Sequence, residues 1–291
     1  MRTLLFLTIL IGSVGSATAV VASSRSTGVP LAIDEHGGIV VAVRIADAGP
    51  FDFILDTGAS RSIVADDLAR QLGAPLVARS EVVTSAGTEL RGVVRLDAVS
   101  VAGARVWPRN TRATRPVSVE SLLAPVVPAA HLSALGASVR GILGQDFLSA
   151  FNYTLDYRHH HLTWDAVDAC GDPTAVRLVA SEGRFVMELP QPGTRRPLRL
   201  VPDTGTDALV LFETQKEDAP VMPGVTVAGV SGRRSAREIV IARLLVGAVT
   251  LHDRHAVVVG RDDENADGLL PLHEFSSVSF AAQGACVVVR K

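Results

Sequence analysis

Phe51-Asp52-Phe53-Ile54-Leu55-Asp56-Thr57-Gly58-Ala59 carries an apolar strand into an acidic glycine turn. Leu198-Arg199-Leu200-Val201-Pro202-Asp203-Thr204-Gly205-Thr206 does the same 147 residues later. A second pair of markers follows in the same order. Gly141-Ile142-Leu143-Gly144-Gln145-Asp146-Phe147-Leu148 comes 85 residues after the first acidic turn, and Gly268-Leu269-Leu270-Pro271-Leu272-His273-Glu274-Phe275 comes 65 residues after the second. Two markers repeated in one order describe a duplicated unit. The junction falls around Asp165 to Pro173, which divides the chain into residues 1–22, 23–165 and 166–291.

Between the markers the pattern is mostly β. Ile39–Ile45, Val93–Val99, Ile239–Ile241 and Ala256–Val259 are short, rich in branched residues and bounded by Gly, Pro, Asp or Asn. One helix is expected after the first turn. Ser60 or Ser62 would cap it, Ile63, Val64, Leu68 and Leu72 would share one face, and Gly73 would end it. Many short strands with few helices point to an all-β architecture of two similar lobes.

Composition sets the outer limits. The chain has 291 residues, with 28 Lys and Arg against 30 Asp and Glu, a formal net charge of −2. That balance argues against a nucleic-acid partner, which calls for a basic stripe. The apolar share of 47% suffices for a substantial core, and the 4% of aromatic residues forms no stacking platform. Met1-Arg2-Thr3 leads into the apolar run Leu4–Val14 and then small residues to Ala22. This is the pattern of a secretory signal peptide, and it is short for a membrane span. A periplasmic or secreted protein is expected, with no membrane attachment beyond an N-terminal anchor if the signal is retained. Cys170 and Cys286 are the only cysteines, too few for a disulfide framework or a Cys-based zinc site. Their distance in sequence leaves their pairing open.

The chemistry resides in the Asp-Thr-Gly triplets. An aspartate leaving a buried strand at a glycine turn is rigidly held, because Gly58 or Gly205 takes a tight conformation and offers an unobstructed N–H. The hydroxyls of Thr57 and Thr204 are placed to tie the two loops together across a pseudo-twofold axis. Two carboxylates brought together in low dielectric cannot both ionise, so they share one proton. The ionised member then activates water and the protonated member polarises a carbonyl oxygen.

These residues resemble those of the aspartic proteases, in particular the bacterial retropepsin-like proteins, here with two lobes fused in one chain. The resemblance rests on Asp56-Thr57-Gly58-Ala59-Ser60, Asp203-Thr204-Gly205-Thr206 and the apolar-apolar-Gly motif Gly141-Ile142-Leu143-Gly144. It implies the two-lobed acid-protease fold, with duplicated β lobes and a few short helices. It also implies a catalytic pair, Asp56 and Asp203, supported by Thr57, Gly58, Thr204, Gly205 and Thr206. The segment Thr84–Thr88, with Ser85 and Gly87, resembles the flap that folds over substrate, and Val230-Ser231-Gly232 is its counterpart.

The implied activity is endopeptidase cleavage of a peptide or protein, with no cofactor and no need to dimerise. A non-catalytic peptide-binding module on the same fold is the alternative. Three departures from the pattern carry expectations of their own. Pro202 precedes Asp203 and should disturb strand pairing there. Pro271 replaces the second glycine of the repeated motif. Ala59 has no hydroxyl to offer its aspartate whereas Thr206 does, which predicts activity at mildly acidic to neutral pH.

Two further clusters have simpler readings. His159-His160-His161 lies between two strand-like segments and reads as a solvated turn. Asp263, Asn265, Asp267 and Glu274 fit the spacing of a calcium loop, with glycine at the sixth position. That loop needs flanking helices, and here a strand precedes it and Pro271 lies inside it.

Overall fold

The computed structural model describes residues 3–6, 27–33, 38–84, 87–101, 117–164, 169–213, 225–229, 232–260, 265–283 and 285–291. The first half begins with β1 (Thr3–Phe6), β2 (Thr27–Pro30) and β3 (Ala32–Ile33). The antiparallel pair β4 (Ile39–Ile45) and β5 (Ala48–Leu55) follows, and β5 ends against Asp56. Next come β6 (Ile63–Ala65), the one-and-a-half-turn helix α1 (Asp66–Gln71), and a hairpin of β7 (Leu76–Thr84) and β8 (Gly87–Val101). β9 (Val117–Val127), α2 (Ala129–Leu132), β10 (Val139–Leu143), α3 (Gln145–Leu148), β11 (Asn152–Asp156) and β12 (His161–Trp164) complete this half.

The second half has β13 (Val176–Ser181), β14 (Arg184–Leu189) and β15 (Leu198–Asp203), then β16 (Leu209–Glu213). A second hairpin, β17 (Val225–Gly229) with β18 (Gly232–Val246), precedes β19 (Val249–Gly260) and β20 (Gly268–Pro271). β21 (Ser277–Ala281) and β22 (Cys286–Arg290) close the chain.

The duplication is visible in the sheets. The first half pairs in the order β3-β4-β5-β10-β6-β9-β8-β7, and the second half pairs as β13-β14-β15-β20-β16-β19-β18-β17. In both, the strand before the acidic turn runs parallel to the strand of the apolar-apolar motif. Ile54 lies beside Ile142 in one half and Val201 beside Leu269 in the other. Both motifs begin on a glycine because the layers touch there. A Cβ on Gly141 would lie 2.2 Å from the Phe53 ring, and one on Gly268 would lie 2.0 Å from the Val210 carbonyl oxygen. The chain is mostly β-strand, in two sheets with few short helices.

The two halves are joined by the run β13-β22-β21-β11-β12-β2, to which both contribute. At its centre Thr154 pairs with Ser279, their hydroxyls 2.8 Å apart. Beneath it Phe147, Phe151, Tyr153, Trp164 and Phe280 form an aromatic cluster, with Tyr153 and Phe280 stacked at 4.8 Å. A disulfide joins Cys170, just after the first half, to Cys286 at the start of β22, with their Cα atoms 5.3 Å apart. His159–His161 form the exposed turn between β11 and β12, where the His159 ring pairs with Asp156. Among the described residues no helix is long and apolar enough to cross a membrane.

Two local expectations are corrected. The helix after the first turn starts only at Asp66, because Ile63 and Val64 are taken up as β6 by pairing with β10. Pro202 does not interrupt its strand. It stands in register with Leu270 of β20, while the ladder to β14 stops at Leu200. The lost N–H therefore falls where that ladder has ended.

The disulfide closes a loop with a sequence separation of 116 residues. Its loss should cost on the order of 2–4 kcal/mol, which is roughly a 3–7 °C fall in Tm for a chain of this size. Thermal unfolding of C170S/C286S beside the oxidised parent measures it, and unchanged melting would contradict the expectation.

Candidate active site

The two acidic turns meet and lock each other. The Thr57 hydroxyl donates to the Pro202 carbonyl at 2.7 Å and accepts from the Thr204 N–H at 3.0 Å. The Thr204 hydroxyl donates to the Leu55 carbonyl at 2.6 Å and accepts from the Thr57 N–H at 3.0 Å. Each hydroxyl thus satisfies one donor and one acceptor of the opposite loop, and both threonines are buried.

This lock brings Asp56 and Asp203 face to face, both without solvent exposure. Oδ1 of Asp56 accepts from the N–H groups of Gly58 (2.8 Å) and Ala59 (3.0 Å). Oδ1 of Asp203 accepts from the Gly205 N–H at 2.6 Å. The outer oxygens, Oδ2 of each residue, accept from no group among the described residues. The approach is close enough to demand glycine on both sides. A Cβ on Gly58 would lie 2.4 Å from Cγ of Asp203, and one on Gly205 would lie 2.9 Å from Oδ2 of Asp56.

Burial is the largest influence on both carboxyls and pushes each well above the ordinary carboxylate range. The Asp203 charge pushes Asp56 further up, while the Gly58 and Ala59 donors pull it back. The Gly205 donor and the Arg184 charge pull Asp203 down. The pair therefore titrates as a unit that holds one proton over a broad pH range.

Thr206 does not act as the sequence suggested. Its hydroxyl donates to the Ala208 carbonyl at 3.0 Å instead of to Asp203. The asymmetry between the turns is the reverse of that expectation, since Asp56 gains the second donor through the Ala59 backbone.

A supporting layer lies below the first turn, and sequence reasoning did not single it out. The Gln145 side chain donates to the Thr57 carbonyl at 2.9 Å, and its N–H donates to the Ala59 carbonyl at 2.9 Å. The Ser62 hydroxyl accepts from the Gly144 N–H at 3.0 Å and donates to Asp146 at 2.6 Å. The signal was present, because polar Gln145-Asp146 interrupts an otherwise apolar repeated motif. In the second half Leu272 stands at the position of Gln145, and its side chain has no donor.

The remaining candidates are placed as follows. Gly87 and Gly232 start the second strands of the two hairpins, opposite Thr84 and Gly229. Ser85 and Asp263 lie outside the described residues. Asp267 accepts from both Nη atoms of Arg196 (3.2 and 3.0 Å) and from the Arg199 N–H (2.9 Å). Glu274 pairs with Arg254 at 3.1 Å, and Asn265 donates to Glu182 at 3.0 Å. The acids of the calcium-like spacing are directed at different guanidinium groups. No cluster of three or more metal-ligating side chains forms among the described residues.

The family model described as aspartyl protease matches residues 41–147, which contain the first acidic turn and its supporting layer. Over those residues the chain is similar to the aspartyl proteases. Among solved structures, the chain is similar to a retropepsin-like aspartic protease from Rickettsia conorii, at 17% identity and a TM-score of 0.31, over 50% of this chain and 95% of that one. It is also similar to the crystal structure of edgp, at 10% identity and a TM-score of 0.46, over 90% of this chain and 94% of that one. No curated protein matches the chain.

Two predictions follow from this geometry. Gly58→Ala should separate the two loops, because a methyl group has no space beside Asp203. A Tm loss equivalent to about 3 kcal/mol or more is expected, and a variant that melts like the parent would contradict the close approach. Burial raises Asp146 to about 6, against the Ser62 hydrogen bonds that favour its charge. A folded-state pKa above the unfolded value means that stability is greatest in acid and is lost as pH rises toward 6. Asp146→Asn keeps an acceptor for Ser62 and removes that loss. Its Tm relative to the parent should rise between pH 4 and pH 7, by an equivalent of at most about 3 kcal/mol, and a pH-independent difference would refute this.

Proposed function

We propose that the protein is an exported aspartic endopeptidase in which Asp56 and Asp203 activate water between them. The observation that carries this reading is the pair of facing, buried carboxyls whose Oδ1 atoms are held by turn N–H groups and whose Oδ2 atoms are left for chemistry. The match of residues 41–147 to an aspartyl protease family model supports peptide as the substrate class.

In the proposed step, water attacks the scissile carbonyl carbon and gives up a proton to the ionised carboxylate. The other carboxyl donates its proton to the carbonyl oxygen, giving a neutral tetrahedral diol. Collapse of the diol breaks the C–N bond as the amine takes a proton, and the pair returns to its singly protonated form. No covalent intermediate with the protein is formed. Gly87 and Gly232 lie on hairpins that are equivalent in the two sheets, which supports a flap role for those hairpins.

Export is supported by the apolar, small-residue N-terminal segment and by the Cys170–Cys286 disulfide, a bond that persists in oxidising compartments.

Purified protein should cleave a mixed peptide library. Asp56→Asn and Asp203→Asn should each lower kcat by about a thousandfold or more, with little change in Tm. The pH–rate profile should be bell-shaped, with its maximum between about pH 4 and pH 7. Activity falls in acid when both carboxyls are protonated and in base when the shared proton is lost. A maximum well below pH 4, or equal cleavage by the parent and both variants, would overturn the reading. Peptide binding without cleavage by the parent would assign the fold to recognition instead.

A further inference from the structure

Three consecutive residues, Leu143, Gly144 and Gln145, hold the first acidic turn at four points. The Leu143 carbonyl accepts from the Asp56 N–H at 3.0 Å. The Gly144 N–H donates to the Ser62 hydroxyl at 3.0 Å. Gln145 makes the other two bonds, with its side-chain amide on the Thr57 carbonyl and its own N–H on the Ala59 carbonyl, both at 2.9 Å. The segments come this close because position 144 is glycine, where a Cβ would lie 2.6 Å from the Arg61 backbone. Gln145 is 2% exposed, so its amide holds Thr57 with little competition from solvent.

The Thr57 contact differs from the others in where it leads. The Thr57 carbonyl and the Gly58 N–H belong to one planar peptide group. Its carbonyl end accepts from Gln145, and its N–H end donates to Oδ1 of Asp56 at 2.8 Å. Fixing one end of the plane fixes the other. A donor on the carbonyl also polarises the group and strengthens its N–H as a donor. Because the Ala59 carbonyl is held as well, Gly58 is clamped on both sides, and the Ala59 N–H reaches the same carboxylate oxygen at 3.0 Å.

The second turn is built without this device. Gly268–Leu272 repeats Gly141–Gln145, and Asp203 stands in register with Pro271. Pro271 carries no N–H, and the Leu272 side chain has no donor. Asp56 accepts from two turn N–H groups, whereas Asp203 accepts from that of Gly205.

We propose that Gln145 is a positioning residue for Asp56: through the Thr57–Gly58 peptide group it aims the Gly58 N–H at Oδ1, which fixes the carboxyl and leaves Oδ2 for chemistry. The catalytic consequence rests on the hydrolytic reading, whereas the placement of the carboxyl does not. Two titratable groups adjoin Gln145. The Tyr153 phenol of β11 lies beside its side chain, and burial keeps that phenol neutral. Asp146, the next residue, accepts from the Ser62 hydroxyl and N–H and titrates at about 6.

The test uses the full-length chain labelled with ¹³C at the aspartate carboxyl carbons and ¹⁵N in the glutamine side chains. D146N is included throughout the titrations, so that Asp146 adds no transition of its own. NMR titration of D203N then follows Asp56, and titration of D56N follows Asp203. Adding Q145L, which installs the residue found at the second-half position, should raise the Asp56 transition by about half a pH unit or more and move the Asp203 transition by less than about 0.2. A side chain that only filled space would leave both in place, and general loosening would move both. Either result would overturn the proposal. A second measurement needs no change at position 145. In D203N, the Gln145 side-chain proton on Thr57 should move downfield as Asp56 ionises, because the charge draws on the shared peptide group. A proton indifferent to that transition would overturn the proposal even where Q145L fails to fold. In the otherwise unmodified protein, Q145L should lower kcat by about tenfold and change KM by less than about twofold. A raised KM at unchanged kcat would assign Gln145 to substrate binding and overturn the proposal. A parent protein that cleaves no peptide would remove the hydrolytic reading, and the titration would still decide whether Gln145 positions Asp56.

Discussion

The site depends on a reciprocal hydrogen-bond lock between Thr57 and Thr204. Each hydroxyl crosses to the other loop, donates to a strand carbonyl there and accepts a turn N–H. Four backbone groups where the two halves meet are satisfied by two buried side-chain atoms. Serine could supply the hydroxyl, but a threonine methyl also fills space in the buried seam. Once the lock fixes the separation of the loops, the approach of the carboxyls is settled, and so is the need for glycine beneath each. Repulsion between the aspartates and their raised pKa values are consequences of that geometry.

Duplication made the frame and divergence made the chemistry. Strand order is the same in the two halves, and even the parallel contact between the acidic strand and the apolar-apolar strand recurs. The side chains around that frame are not the same. Gln145, Ser62 and Asp146 brace the first turn, whereas Pro271 and Leu272 stand at the matching second-half positions of Gly144 and Gln145. A perfectly symmetric pair of carboxyls would have no preferred owner for the shared proton. Here the surroundings of the two carboxyls differ, so the pair is not equivalent by residue.

Much of the frame was legible because its signals are local and repeated. Asp-Thr-Gly after an apolar strand appears twice in one order, and the chain cannot hide a duplicated unit of that kind. The helix boundary was less legible, because Ile63-Val64 suits a helix face and a buried strand equally well, and only the presence of β10 decides between them. Thr206 was misjudged because a hydroxyl near a carboxylate has other acceptors, and the turn presents the Ala208 carbonyl instead. The burial of Arg184 was not legible from sequence, because an arginine at the start of a strand is ordinarily solvent-exposed.

Holding two acids together out of water opposes folding, so the frame must supply more than the pair costs. The joining run of strands does this in a way that also protects geometry. β11 and β21 pair through the centre, the aromatic cluster fills the space beneath, and the disulfide fixes β22 to the crossover between halves. Strain from the carboxyls is thereby resisted where the two halves are one sheet. A continuous floor shared by both halves follows from the strand order, and two acids held together out of water need such a floor to keep their separation.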